Sequence, residues 1–267
     1  MNTEHQLSRK ELFDNIILFN IPISAVTVRQ VLDKIHDVIS TKKTMHIGVV
    51  NAAKVVNMHR NNILMNDVLS SDIILADGAA IVLASKILGQ PLPERVTGID
   101  LMYGIFDEGN RYNYRIYCLG ATEEISERVA QEISNKYPNI ILAGRRNGYF
   151  SEDDEESIAR EINESNADVL LVAMTSPKKE NFLARWNATM NVPVIHGVGG
   201  SFDVMAGKVE RAPELWRKLG LEWLYRVKQE PRRLWKRYLV TNTLFIWMLT
   251  KELFSKMRAS LKQLFNQ

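Results

Sequence analysis

Ile73-Ile-Leu-Ala-Asp77-Gly78-Ala79-Ala80 decides the fold of this chain. An apolar run of strand length ends in a carboxylate and a glycine, and a helical segment begins directly afterwards. Strands that are apolar throughout are typical of parallel sheets, because helices cover both of their faces. The stretch therefore predicts one strand-turn-helix unit of an α/β domain.

Similar units recur on both sides of this stretch. The segments between the apolar runs carry helical spacing, as in Val31, Ile35 and Val38. We therefore predict an α/β fold in residues 1–204, with a mostly parallel sheet flanked by crossover helices. The other apolar runs of strand length are residues 16–19, 47–50, 116–119, 140–142, 169–174 and 194–198.

The strand signals stop near residue 205, and the charge changes there. Residues 205–267 hold fourteen Lys and Arg against five Glu, a net charge of +9, whereas residues 1–204 carry −6. Trp and Tyr are interleaved with these basic residues. We predict that residues 205–267 form a helical cationic C-terminal appendage that faces an anionic partner.

Nucleic acid, anionic lipid and a diphosphate substrate all fit such an appendage by charge. Its uncharged run, residues 238–250, would form about 20 Å of helix, which is shorter than the roughly 30 Å needed to span a bilayer. An apolar, aromatic helix bordered by basic residues is typical of a membrane surface. The alternative is a helix docked on the core or on another subunit of a homo-oligomer. We disfavour nucleic acid because no nucleic-acid-binding signature accompanies the basic residues.

Cysteine usage and the first residues indicate the compartment. Cys118 is the single cysteine among 267 residues, which excludes an intramolecular disulfide and a thiolate zinc site. The polar residues 1–10 lack the apolar core of a signal peptide. We therefore expect a cytoplasmic protein that is peripheral on the inner face of the cell membrane.

Two polar residues follow predicted strands, at the edge where open α/β sheets bind ligands. Asn51 is expected to cap the next helix, with a contact to a sugar hydroxyl as the alternative. Asp77 is equally consistent with a helix cap and with a general base that points into the ligand crevice.

Three further segments suit an anionic ligand. Arg95 lies in a polar loop, where it would either bind a diphosphate or remain solvated. Lys179 lies at the start of a helix, which either binds a phosphate or is simply capped by a serine. Gly199 and Gly200 belong to Gly197-Val-Gly-Gly-Ser-Phe-Asp203, a strand-to-helix turn that lets a ligand approach backbone N–H groups.

The common nucleotide and metal motifs are missing from the sequence. Neither the P-loop nor a well-placed dinucleotide fingerprint occurs, and no Asp-x-Asp pair is present to hold a metal on a diphosphate. We therefore expect fixed cationic side chains, without a metal, to stabilise any departing diphosphate.

Together these runs resemble the WecG/TagA/CpsF family, glycosyltransferase family 26. The resemblance covers about residues 45–237, with the motifs in matching order and spacing. The motifs that carry it are Ala76-Asp-Gly78, Glu94-Arg-Val-Thr-Gly-Ile-Asp100, Asn147-Gly-Tyr-Phe150, Ser176-Pro-Lys-Lys-Glu180, Gly197-Val-Gly-Gly-Ser-Phe-Asp203, Arg211-Ala-Pro213 and Leu219-Gly-Leu-Glu-Trp-Leu-Tyr-Arg226.

The resemblance implies a Rossmann-like body that acts without a metal or other cofactor, and an appendage that engages membrane and active site. It implies an inverting transfer of a sugar from a UDP donor to a polyprenyl-diphosphate-linked sugar. The donor sugar stays open between glucose, ManNAc and ManNAc uronate. The resemblance places the general base at Asp77, and the other site positions at Asn51, Arg95, Lys179, Asp203, Arg226, Arg233 and Arg237.

The expected function is therefore hexosyl transfer in the synthesis of a cell-surface polysaccharide or exopolysaccharide. Two alternatives remain: a Rossmann-type nucleotide-binding oxidoreductase, and a non-catalytic module that docks on membrane. The first alternative requires NAD binding, and the second requires that no UDP is released from any UDP-sugar.

Overall fold

The computed structural model describes residues 12–265, without the side chains of Arg233 and residues 259–265. Residues 1–11, on which the expectation of no signal peptide rests, lie outside the described residues. The eight strands are β1 (Asn15–Leu18), β2 (Ile21–Ser24), β3 (Met45–Val50), β4 (Ile73–Ala76), β5 (Arg115–Gly120), β6 (Ile141–Arg146), β7 (Val169–Ala173) and β8 (Val194–Gly197).

Twelve helices occur in the described part of the chain, together with a short 3-10 turn at Glu152–Asp154. They are α1 (Val28–Ser40), α2 (Ala52–Arg60), α3 (Asn62–Leu69), α4 (Ala79–Ile87), α5 (Gly98–Tyr112), α6 (Glu123–Lys136), α7 (Glu155–Glu164), α8 (Lys178–Met190), α9 (Ser201–Met205), α10 (Glu214–Lys218), α11 (Glu222–Gln229) and α12 (Pro231–Phe265).

Six strands form one parallel sheet in the order β4-β3-β8-β7-β5-β6, and β1 and β2 form a separate antiparallel hairpin. The central strands are apolar and buried throughout, as expected when helices cover both faces of a sheet. The predicted α/β fold with a mostly parallel, helix-flanked sheet is confirmed.

Helices pack on both faces of this sheet. On one face, Val31 and Ile35 of α1 pack with Leu101 and Ile105 of α5. On the other face, α2, α3 and α4 share a core with the hairpin, and Phe245 of α12 completes it. A third cluster forms where α7 and α8 cover β5 and β7.

The order of the strands positions the site. The sequence segments that contain Asp77, Asn51, Gly199 and Lys179 follow β4, β3, β8 and β7, which are four consecutive strands of the sheet. Since all of these strands are parallel, the four segments lie at the same carboxyl edge. This is the edge at which open α/β sheets bind ligands.

The C-terminal helix α12 runs for 35 residues and begins at a proline. Its buried Phe245 tilts against the Phe19 ring of the hairpin, with the ring centroids 5.2 Å apart. The Glu252 carboxylate accepts a hydrogen bond from the Phe19 N–H at 3.1 Å, and Lys256 donates to the Leu88 carbonyl at 3.1 Å. Within residues 12–265, none of the helices combines the length and the apolar composition that crossing a membrane requires.

Candidate active site

Asp77 lies at the end of β4 and is half-buried. Its backbone N–H donates to the Val50 carbonyl at 3.0 Å, which continues the pairing with β3. Its Oδ1 accepts a hydrogen bond from the N–H of Gly98 at 2.9 Å, at the start of α5. Asp77 therefore does not cap the helix that follows it, where Gly78 is the N-cap residue and no side chain accepts. Its Oδ2 accepts no hydrogen bond from the described part of the chain.

Asn51 caps α2, as the sequence predicted, because its Oδ1 accepts from the Lys54 N–H at 3.0 Å. Asn51 also lies next to the loop that contains Asp77. A Cβ atom added at Gly78 would lie 2.9 Å from the Cβ of Asn51, so the loops after β3 and β4 are in contact. The cap uses the amide oxygen of Asn51, and the amide nitrogen remains available to a ligand.

His196 connects β8 to Gly98, the residue whose N–H binds Asp77. The imidazole is fully buried, and its Nε2 donates to the Gly98 carbonyl at 3.1 Å, while Nδ1 is buried without a partner in the described part of the chain. Burial lowers the pKa of His196 to about 4, so the ring is neutral. The sequence analysis missed His196 because an isolated histidine in an apolar strand gives no signal of its partner.

The turn after β8 is defined here as the glycine turn, residues 197–200. Gly199 adopts a left-handed conformation with φ of +53°, which glycine tolerates best. A Cβ atom added at Gly200 would lie 3.4 Å from the Arg226 guanidinium and 3.9 Å from the Asp203 carboxylate. The structure therefore brings together four of the candidate site residues, Gly199, Gly200, Asp203 and Arg226.

Arg95 lies in the loop before α5, where it forms an ion pair with Glu222 of α11 at 3.0 Å. It is thus neither free nor merely solvated. The backbone of Gly220, with φ of +72°, packs so closely that an added Cβ would lie 2.7 Å from the Cβ of Ala79. These contacts hold α10 and α11 over the loops that contain Asp77 and Arg95.

A second ion pair fastens the same region to α5. Arg211 donates to the Asp100 carboxylate, which also accepts a hydrogen bond from the Thr97 hydroxyl at 2.6 Å. Burial alone would raise the pKa of Asp100, but Thr97 and Arg211 outweigh it and lower that pKa. The chain after α9 is therefore joined to the body by charged contacts at Arg95 and at Asp100.

Lys179 is buried behind the glycine turn instead of lying open at a helix start. A Cβ atom added at Gly197 would lie 2.5 Å from its ammonium nitrogen. The ammonium lies 3.3 Å from the carboxylate of Glu180, which also accepts from Lys54 at 2.7 Å. Burial lowers the pKa of Lys179 to about 8. The sequence analysis did not anticipate the contribution of Lys54 and Glu180.

The structure does not bring Arg237 to the site in this way. The Arg237 side chain is exposed on α12, and it makes no hydrogen bond or ion pair with the described part of the chain. The predicted role of Arg233 falls on a side chain outside the described residues.

The outward surface of α12 is apolar. Residues at helical spacing leave their large side chains in solvent, opposite the buried side that includes Phe245. Exposed apolar residues aligned over several helical turns are uncommon on a soluble protein surface and mark an interaction site. We call this set the outer stripe; its members are Trp235, Leu239, Ile246, Phe254 and Met257.

Comparisons with known proteins agree on one family. The sequence model described as "Glycosyl transferase WecG/TagA/CpsF family" matches residues 16–259. Three relatives carry the name N-acetylglucosaminyldiphosphoundecaprenol N-acetyl-beta-D-mannosaminyltransferase. The Bacillus subtilis (strain 168) protein is 36% identical over 187 residues, which cover 70% of this chain and 72% of that protein.

The Bacillus spizizenii relative is 35% identical over 170 residues, which cover 64% of this chain and 65% of that protein. The relative from Staphylococcus aureus (strain MW2) is 30% identical over 238 residues, which cover 88% of this chain and 91% of that protein.

Proposed function

The chain belongs to the WecG/TagA/CpsF family of glycosyl transferases, and from that premise we propose that it transfers a hexose-type sugar from a UDP-sugar to a polyprenyl-diphosphate-linked sugar. The single observation that carries this proposal is the arrangement around Asp77. One carboxylate oxygen is fixed by the Gly98 N–H, and the surrounding loops at the carboxyl edge are covered by a helix that carries Arg226. A base and a cation at the same carboxyl edge of the sheet are what this transfer requires.

Asp77 acts as the general base in a single displacement. Its free oxygen accepts the proton of the acceptor hydroxyl as that hydroxyl oxygen bonds to the anomeric carbon of the donor. The bond from the anomeric carbon to the UDP oxygen breaks on the opposite face, so the configuration is inverted. A carboxylate is a far weaker base than the alkoxide of a sugar alcohol, so proton transfer accompanies the attack.

The hydrogen bond from Gly98 has a positioning effect. It fixes one oxygen of Asp77 and therefore the direction of the other. General-base assistance is typically worth about 100- to 10,000-fold in rate, and it depends on placing the base within hydrogen-bond reach of the proton. His196 supports this placement because it holds the carbonyl of the same residue, Gly98.

Cationic side chains stabilise the departing UDP without a metal. Arg226 lies beside Gly200, where the N–H groups of the glycine turn are accessible to a phosphate. Arg95 can bind a second phosphate bidentately once its pairing with Glu222 opens. The side chains of Arg233 and Arg237 on α12 remain candidates for the diphosphate of the acceptor.

The outer stripe docks on an anionic membrane surface. Its Trp235 is more than half exposed, as is the neighbouring Trp247 of the same helix, which also carries Lys236, Lys251 and Arg258. Trp prefers the interface, and basic residues near it gain about 1 kcal/mol each from anionic lipid. Since the acceptor is lipid-linked, we place the enzyme on the inner face of the cytoplasmic membrane, with residues 205–267 as the docking appendage.

The donor sugar is the finer part of the proposal. The names of the relatives specify an N-acetylmannosaminyl group and a GlcNAc-diphosphoundecaprenol acceptor. UDP-ManNAc is therefore the first donor to test, and UDP-glucose and the UDP-ManNAc uronate are the other two candidates.

A screen of UDP-sugars tests this function. The full chain is incubated with each donor and a short-chain prenyl-diphosphate-GlcNAc or prenyl-diphosphate-glucose acceptor. The mass of the lipid product is then measured by mass spectrometry. We expect one added hexose-type unit and one released UDP for each product. Binding of NAD with no binding of UDP would favour the oxidoreductase, whereas vesicle binding with no UDP release from any donor would favour a docking module.

A further inference from the structure

A group of buried charged residues lies behind β8, on the face of the sheet opposite His196. Lys179 and Glu180 belong to α8, Lys54 to α2 and Asp67 to α3, and the imidazole of His46 completes the group. The free space between them is about 10 Å³, close to the room that one water molecule needs. This space is too small for a substrate. The charges can therefore influence a ligand only through the residues that separate them from it.

Glu180 is the centre of this group. Its Oε1 lies 2.7 Å from the ammonium of Lys54 and 3.3 Å from that of Lys179. Burial alone would raise the pKa of Glu180, but Lys179 and Lys54 together outweigh it and lower that pKa to about 2. The carboxylate therefore stays ionised, and it provides the opposite charge near the buried ammonium of Lys179.

The position of Lys179 connects this buried group of charges to the glycine turn. Its ammonium lies directly behind Gly197, where an added Cβ would be only 2.5 Å from the nitrogen. Gly197 is the last residue of β8 and begins the glycine turn, and Arg226 lies beside Gly200 at the other end of that turn. One positive charge therefore lies behind the turn and another lies beside it.

We propose that Lys54 and Glu180 are positioning residues that hold the ammonium of Lys179 behind the glycine turn, where its charge attracts the diphosphate of the nucleotide donor. The inference rests on the proposed function, because it assumes that a nucleotide diphosphate binds at this turn. It adds two residues that the family resemblance did not place in the site. It also gives a reason for burying these ion pairs, because the attraction between buried charges often does no more than offset the cost of removing them from water.

Lys179 depends on Glu180 for its charge. Desolvation disfavours an ammonium, and the nearby Lys54 disfavours it further, while Glu180 favours it. Asp67 and His46 also face the group: burial, followed by the charge of Glu180, raises the pKa of Asp67, and burial lowers the pKa of His46 to about 4. The imidazole is thus neutral near pH 7, and Glu180 is the closest carboxylate to Lys179 in the described part of the chain.

Glu180→Gln tests the inference directly. An opposite charge at this distance is worth about 1 to 3 pH units, so the substitution should lower the pKa of Lys179 by that amount from about 8. Lysine side chains labelled with ¹³C at Cε, titrated by NMR, report this pKa, with Lys179→Met to assign the signal. UDP affinity, measured by calorimetry at pH 7.5, should fall by roughly tenfold in Glu180→Gln.

Four variants separate positioning from structure. Lys179→Met removes the charge but keeps most of the volume, so it should fold, and its UDP affinity should no longer change between pH 7 and 9. Lys54→Arg should retain UDP affinity, whereas Lys54→Met should lower it although the pKa of Lys179 rises, because Glu180 loses the ion pair that holds it in place. Glu156→Gln makes the same chemical change as Glu180→Gln at an exposed ion pair and should alter neither readout.

The outcomes are distinct from those of the transfer assay. A pKa of Lys179 that is unchanged in Glu180→Gln would overturn the inference, whatever reaction the enzyme performs. UDP affinity in folded Lys179→Met equal to that of the wild type would overturn it as well. The expected pKa change together with UDP affinity that follows the charge of Lys179 would support it, even if no tested sugar were transferred.

Discussion

Phe245→Ala should detach α12 from the body. Phe245 is 4% exposed and packs against the Phe19 ring. Burial of a phenylalanine is worth about 1.5 to 3 kcal/mol, and an aromatic pair adds about 0.5 to 1.5 kcal/mol. With the cavity that remains, we expect a loss of about 3 to 5 kcal/mol in the free energy of docking. The part-buried hydrogen bond between the Glu252 carboxylate and the Phe19 N–H is the same before and after the substitution, so it does not offset the loss.

Urea unfolding and limited trypsin digestion measure this effect, because the basic residues of α12 become accessible once it leaves the body. Trp247→Ala on the same helix is the matched control. Its side chain is 60% exposed, so stability should change by less than about 0.5 kcal/mol while binding to anionic vesicles weakens. Equal stability of the two variants would refute the assignment of one buried and one outward surface to α12.

Three further outcomes follow from local geometry. Gly120→Ala should lower the free energy of unfolding by about 3 kcal/mol or more, because φ is +126° and the new Cβ would lie 2.5 Å from backbone atoms. Gly207→Ala is the control in the same urea series. Its φ is +72° and the space around it is open, so it should cost only about 1 to 2 kcal/mol. Burial lowers the pKa values of both His196 and His46 to about 4 in the folded protein, so stability that is present above pH 6.5 should be lost as the pH falls towards 4, by up to about 3 kcal/mol for each ring. A urea midpoint that does not change over this range would contradict this expectation. Glu222→Gln should free Arg95 from a partly exposed ion pair worth up to about 1 kcal/mol, so UDP affinity should rise by up to about fivefold. Weaker UDP binding in calorimetry would contradict the idea that Glu222 and UDP compete for Arg95.

The strands of the sheet could be predicted because their sequences are apolar throughout. The strand at 73–76 was predicted to the residue, since both of its faces are buried. β6 extends from Ile141 to Arg146, beyond the predicted 140–142, because it is an edge strand whose polar residues face solvent. β2 was missed because it is short and contains Pro22, which argues against a strand away from an edge.

The candidate site could be predicted in its residues but not in its pairings. Asn51 was expected to cap a helix, and it does so, because that contact is local in sequence. The partner of Asp77 is the N–H of Gly98, a contact 21 residues away that depends on where α5 begins. The same holds for Arg95 and Glu222, whose pairing arises only when the appendage folds over the body.

Lys179 shows a different limit. A lysine at a helix start suggests an exposed phosphate ligand, but this side chain turns inwards beneath Gly197. The missing side chain of that glycine makes room for the lysine, which no periodicity of the sequence signals. Charged residues can be buried only where partners compensate for desolvation, and those partners, Lys54 and Glu180, become visible only in the folded chain.

The most direct test of the account is the turnover of Asp77→Asn with the donor and lipid acceptor that the wild type uses. The amide keeps the shape of the side chain and can still accept the Gly98 hydrogen bond, but it cannot take a proton. We expect UDP affinity within about twofold of the wild type and stability within about 1 kcal/mol of it. Sugar transfer should be slower by about 100-fold or more. Transfer at a near-normal rate would remove Asp77 as the base and contradict the proposed chemistry.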